Sequence, residues 1–317
     1  MGIFVFLPLV LPLTALPVAH LAEAHLHPRS ATRLLSILGA ALALCSTLCL
    51  MLLVVVGTAQ LPGNPLPDGW SDPEVRAAVP YDEVAGKAAI GALAVVGVSC
   101  GGLLRRHFHV RQEAHRALAG LPDSPVAVLP DTRVYAYALP GGPRTRARDT
   151  AGRVVVSKAM LACLDTRERR ALIAHERAHL VARHHRHLLA AQLAARANPL
   201  LLPLRDAVAY SAERWADEDA ALAVGDRRVV ARAVGKAALV SIGEPPATLL
   251  GFAAPGPVPR RVAALLGPVP PERGWPPAFT AVGLAVWTAA AGTAASALSS
   301  VNAAIALFIV LTAATPL

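Results

Sequence analysis

The sequence predicts an α-helical, polytopic membrane protein that carries one mainly helical α+β domain with a small β-sheet on its cytoplasmic side. Three observations lead there. The chain has 317 residues, is 55% hydrophobic with a mean hydropathy of +0.49, and only 16% of it is charged, well below the roughly 25% of an ordinary soluble domain. Long stretches have no charge at all. The basic residues are segregated: 26 of the 30 lysines and arginines fall between Arg105 and Arg273.

The uncharged stretches define the expected spans, since a crossing helix needs about 20 apolar residues. Gly2–Ala19 has 18 residues, interrupted by Pro8, Pro12 and Pro17, and Leu34–Gly57 has 24. Ala88–Leu104 has 17, and the 44 residues after Arg273 carry no charge. We therefore expect three spans within 1–104 (about 2–19, 34–57 and 88–104) and a C-terminal region, 274–317, that crosses once or twice. The first run lacks a basic leader segment and is rich in proline, so it reads as a retained span, not a cleaved signal. Arg105, Arg106, Arg111 and Arg116 follow the third run directly, whereas the 58–87 loop holds Asp68, Asp72, Glu74, Asp82 and Glu83 against Arg76 and Lys87. By the positive-inside rule, 105–273 is expected in the cytoplasm and the N-terminus outside.

Net charge is +9. The arginines are scattered, aromatics are 4%, and no nucleic-acid motif accompanies them, so no nucleic-acid partner is expected; an anionic inner leaflet accounts for the same excess. Of the four cysteines, Cys45, Cys49 and Cys100 lie in expected spans and Cys163 stands alone. That pattern indicates neither a disulfide partner nor a cysteine metal site.

Within 105–273, "SPVAVLP", "RVYAYALPGG" and "GRVVVSKAML" are short β-rich runs closed by proline, glycine or a polar turn. A helix follows: "LDTRERRALIAHERAH" offers Asp165 or Thr166 as N-cap with Glu168 in the first turn. "LLAAQLAARANPLLLPL" is an apolar stretch suited to packing on the domain or lying against the bilayer. A second helix is expected through "AYSAERWADEDAALAV", stopped by Gly225. The proline-rich 245–271 reads as an irregular linker.

The first of these helices contains H-E-x-x-H, at His175, Glu176 and His179. Residues four apart share one helix face, so both imidazoles can reach one Zn²⁺ while the glutamate reaches its bound water as general base. With 11 histidines in the chain, composition alone would produce the pattern on the order of 0.01 times. A third ligand is needed. Glu213, Asp217, Glu218 and Asp219 stand on the second helix, and Glu213 and Asp217 share a face, so one can ligate while the other supports a histidine. His184, His185 and His187 read instead as an exposed basic helix end. Arg227, Arg228 and Arg232 read as solvated or lipid-facing.

"VVVSKAMLACLDTRERRALIAHERAH" followed by "AERWAD" resembles the membrane zinc metallopeptidases of the BlaR/MecR antirepressor type and their relatives, the CAAX prenyl proteases and heat-shock membrane proteases. The resemblance implies a gluzincin-like domain. His175, His179 and Glu213 would hold one Zn²⁺, Glu176 would be the base, and Asp217 would support a ligand from behind. "YALPGG" is similar to the segment before the strand that edges the cleft in those families, where an extended protein or peptide substrate can add as a strand. The order of spans, cytoplasmic domain and further span is similar too. Penicillin-sensing members carry an outer sensor domain after the last span, whereas this sequence ends at Leu317; β-lactam sensing by this chain is therefore not expected, and a separate sensor or repressor protein is a candidate partner. The competing reading is a membrane signal transducer or scaffold with a structural or degenerate zinc site. The intact Glu176 weighs against that, because a structural site needs no base. No span holds a charge, which weighs against a transporter.

Overall fold

The computed structural model describes residues 5–59, 61, 63, 67, 70, 82–122, 124–141, 152–240, 258–270 and 279–313. Asp68, Asp72, Glu74, the turn at 142–151 and Trp275, an expected interfacial anchor, lie outside them.

Among the described residues, four helices are long and apolar enough to cross a membrane: Leu7–His25, Pro28–Thr58, Val84–Ala117 and Ala281–Ala313. The first is broken into α1 (Leu7–Val10), a 3₁₀ turn and α2 (Ala15–His25). Pro8 and Pro12 each stand at a helical start, where the missing N–H costs nothing. α3 (Pro28–Thr58) and α4 (Asp82–Ala117) both overrun the uncharged runs that announced them. Residues 105–117, expected to open the cytoplasmic domain, are thus the end of the third long helix. The C-terminal region, left open between one crossing and two, is a single helix, α11 (Ala281–Ala313). Large apolar side chains stand exposed on these helices, among them Leu44, Val95, Val98, Leu298 and Phe308. Such surface suits lipid better than water.

The sheet has three short strands, β1 (Val126–Leu129), β2 (Ala136–Leu139) and β3 (Arg153–Ser157), in the order β1-β3-β2. β3 pairs parallel with β1 and antiparallel with β2, so β2 is an edge. A short α5 (Lys158–Ala162) leads to α6 (Thr166–Val181), which Asp165 and Glu168 start with a reciprocal capping box. Then come α7 (His184–Ala197), α8 (Leu202–Val224), α9 (Arg227–Val240) and α10 (Val258–Leu266). α8 ends where expected, at Gly225 in the left-handed conformation (φ 73°). α10 lies inside the stretch expected to be an irregular linker. The prolines are confined to its margins, and Val258, Val262 and Leu265 supply helical spacing between them.

The apolar stretch after the H-E-x-x-H helix packs against two of these long helices. Leu188, Ala191, Ala194, Leu201, Leu204 and Val208 of the α7–α8 hairpin are buried together with Ala22, Ala31, Leu35, Leu42 and Ala43 of α2 and α3. The domain is therefore bolted to the first two candidate spans. At the other end of α3, Gly57 meets Gly86 of α4 backbone to backbone, and a Cβ on Gly57 would sit 2.5 Å from the Gly86 carbonyl carbon. Overpacking of this kind costs roughly 1–3 kcal/mol or more. Gly57→Ala and Gly86→Ala should each lower the thermal midpoint in detergent by several degrees. Gly91→Ala, which faces open space, should leave it unchanged.

Candidate metal centre

α6 and α8 pack side by side, and each contributes ligand-type side chains to the seam. His175 Nε2 lies 3.1 Å from His179 Nε2. The Glu213 carboxylate is 3.4 Å from the first and 3.5 Å from the second. Taking one donor atom from each residue, all lie within 4.8 Å of one another. Four ligands about 2.0–2.1 Å from a zinc ion stand about 3.3–3.4 Å apart, so the three donors already sit close to three corners of such a tetrahedron. Two imidazoles and one carboxylate are also a donor set of catalytic zinc, leaving a fourth position for water or substrate. The residues fit the ion.

Each donor is backed by a second group. Asp217 Oδ1 lies 3.1 Å from His175 Nδ1, close but off-line for a full hydrogen bond. His179 Nδ1 lies 2.9 Å from His184 Nδ1. With His179 ligating through Nε2, its Nδ1–H donates to His184. Arg261 of α10 reaches Glu213 Oε2 with Nη1 at 2.8 Å and grips Asp217 with Nε and Nη2 at 2.8 and 2.6 Å.

His184 is fully buried, contrary to the expected exposed basic end. In a continuous helix a residue five positions on lies about 140° around the axis and would point away from His179. The helix instead stops at Val181, and Arg183 adopts the left-handed conformation (φ 54°) before α7 begins. Turned back, the His184 ring packs 4.6 Å from Trp215, over which Arg29 and Arg33 of α3 place their guanidiniums at 5.5 and 5.2 Å. His187 is half-buried, facing Ser36 Oγ at 3.2 Å.

In the sequence Arg261 is only one of the 26 basic residues between Arg105 and Arg273. Its signal was the helical spacing of Val258, Val262 and Leu265, masked by the flanking prolines. Arg227 is also not a free cation. It bonds Glu218 and the carbonyls of Ala264 and Gly267, anchoring the end of α10 to α8 and α9. Glu218 is thereby occupied away from the centre.

Glu176 is buried next to the donors and accepts a backbone N–H from Ala138 of β2. Burial pushes its carboxyl up to about 7. Burial pulls His175 down, but Asp217 and Glu213 outweigh it and raise the imidazole to about 10. Burial lowers His179 to about 4. Burial also opposes the Glu213 anion, yet Arg261 and the histidines hold its pKa well below the ordinary value.

Residues 105–196 match peptidase family M48. M48 peptidases are zinc-dependent, and the match supports a metallopeptidase. It covers the sheet, α6 and most of α7 and stops before Glu213 and Asp217, which join the histidines through geometry alone. It does not single out the antirepressor type. No curated protein and no solved structure gives a significant match.

Two outcomes follow from the charges. Without metal at pH 7.5, His175 carries a proton that a metal ligand cannot keep, whereas His179 is already neutral. Zinc binding should therefore release about one proton per ion, read by titration calorimetry in buffers of different ionisation enthalpy; no release would contradict the charge state of His175. Replacing Arg261 by methionine leaves two buried carboxylates without their cation, a loss of roughly 3–5 kcal/mol. The metal-free variant should melt well below the parent, and zinc should raise its midpoint by more than it raises the parent's.

Proposed function

We propose that this chain is an integral-membrane zinc endopeptidase that cleaves a protein substrate at the cytoplasmic face. The observation that carries the reading is the assembly of His175, His179 and Glu213 around one point with Glu176 beside them. A purely structural zinc site has no use for a buried carboxyl at that place.

When bound, zinc supplies a water of near-neutral pKa and a positive charge for the scissile carbonyl oxygen. The rest falls to the chain's own residues. Glu176 accepts the water's proton on a carboxylate oxygen and returns it to the departing amine nitrogen. Its raised pKa keeps both protonation states accessible near neutrality. Asp217 and His184 hold the two imidazoles with Nε2 directed to the centre, and Arg261 holds the Glu213 carboxylate. The Ala138 N–H that reaches Glu176 lies on β2, at the sheet edge. A substrate laid along that edge as an additional strand would pass directly over the donors.

The four candidate spans and the basic excess between Arg105 and Arg273 support the membrane placement and the cytoplasmic site. The same layout favours the antirepressor type of membrane peptidase, serving as the proteolytic effector of a signalling pathway with a separate sensor or repressor as partner.

The test compares purified parent chain and Glu176→Gln for bound zinc and for cleavage of an unstructured protein, with and without chelator. Zinc near one per chain in both is expected, with cleavage about 10²–10⁴-fold slower in the variant. Equal cleavage by both proteins would remove Glu176 from the mechanism. Cleavage indifferent to the chelator would remove the metal.

A further inference from the structure

The close meeting of Gly57 and Gly86 ties the far ends of α3 and α4 together and provides an origin for measuring depth along both helices. Three contacts locate the α7–α8 hairpin on that ruler. Asn198, at the hairpin tip, donates from Nδ2 to Ser46 Oγ at 3.1 Å. Ser46 lies eleven residues, about 16 Å, from Gly57. Arg196 donates to Ser99 Oγ at 3.2 Å, and Cys100 Sγ contacts the Leu193 carbonyl at 3.8 Å. Ser99 lies thirteen residues, about 20 Å, from Gly86. The hydrocarbon layer is roughly 30 Å thick. Two separate helices thus place the tip at the same level, near its middle.

We propose that the α7–α8 hairpin is a re-entrant membrane element, dipping from the cytoplasmic side to mid-depth beside α3 and α4 and presenting its tip to lipid acyl chains. The inference rests on α3 and α4 crossing the bilayer and is independent of the peptidase chemistry. Its composition agrees: from Leu188 to Leu204 the only charge is Arg196.

A chain reversal inside hydrocarbon is tolerated only where its polar groups are satisfied by protein, and this one is. Asn198 N–H bonds the Ala194 carbonyl, its Oδ1 accepts Leu200 N–H, and its own carbonyl accepts Leu201 N–H. Ser46, which receives the Asn198 amide, passes its proton to the Pro8 carbonyl. Pro199 and Pro203 have no N–H to satisfy. Leu200 and Leu202 remain about 40% exposed on the outside of the turn, as lipid-facing residues should. Arg196 costs about 2.5–3.5 kcal/mol if held at the bilayer centre. Its bond to Ser99 lies toward the inner boundary, within the reach of a flexible arginine stem. On the same ruler Ser36, the partner of His187, stands about 32 Å from Gly57. The metal donors therefore sit at the foot of the hairpin, at the membrane surface.

The test is spin labelling of the full chain in phosphatidylcholine–phosphatidylglycerol liposomes. Leu200→Cys is compared with Leu44→Cys, exposed on α3, and Val128→Cys, exposed on β1, each in a background lacking the four native cysteines. Position 200 should share with position 44 an oxygen-to-nickel collision ratio several-fold above that of position 128. A ratio at 200 equal to that at 128, with 44 in lipid, overturns the re-entrant hairpin alone. Position 44 in water overturns the spanning of α3 and this inference with it. A photo-crosslinking residue at 200 in the chain with native cysteines gives an independent readout: lipid adducts support the placement, and their absence when position 44 yields them overturns it.

Discussion

Glu213 and Asp217 stand one turn apart on a face of α8 that is closed to water, and two carboxylates cannot be buried there without a cation between them. Arg261 is that cation, and the demands of its position shape much of the domain. α10 must come close enough to α8 to deliver the guanidinium, so the end of α10 is fastened by Arg227, whose other bond goes to Glu218, one residue beyond Asp217. α6 must then lie on the remaining side, where His175 and His179 complete the charge balance. A metal ion entering this arrangement meets an anion already formed and already aimed. The histidine supported by a carboxylate and the histidine supported by a neutral imidazole differ in basicity, so the two sides of the centre are not equivalent.

Those elements whose information is local were legible in the sequence. H-E-x-x-H encodes its own geometry because a helix fixes the relation of positions four apart, and the capping residues before it and Gly225 after the second helix act within a turn or two. The candidate spans announced themselves through composition, although composition marks where an apolar run lies and not where a helix ends; α4 accordingly runs thirteen residues past Leu104, the end of its uncharged run. Illegible were the contacts whose partners are distant in sequence. Arg261 looked like one more positive charge flanking a span, and only the fold brings it to carboxylates 44 and 48 residues earlier. His184 looked like part of a basic cluster because helical periodicity points it away from His179. One left-handed residue at Arg183 reverses that, and single-residue reversals by a non-glycine leave no pattern to read.

The candidate metal centre and the candidate spans share side chains at their border. Trp215 packs against His184 and also meets Arg29 and Arg33 at the start of α3. Arg260, next to Arg261, pairs with Glu23 near the end of α2 at 2.9 Å and lies over the Tyr210 ring. Both connections run from the α2–α3 turn, one towards His179 and the other towards Glu213. The site is thus built partly on the α2–α3 hairpin and not merely tethered to it, and one core cluster joins α2 and α3 to α7 and α8.

That shared core has a bearing on how the protein is made. The face of α3 formed by Ala31, Leu35, Leu42 and Ala43 finds its partners in residues 188–212, about 150 positions later in the chain. At 5–20 residues per second of synthesis, on the order of 10 s separates the emergence of the two halves of the seam. During that interval α3 stands with its small-residue face bare while the rest is still on the ribosome. Biogenesis therefore passes through a stage in which α1 to α4 have been made and the groove along α3 waits to be filled by later sequence.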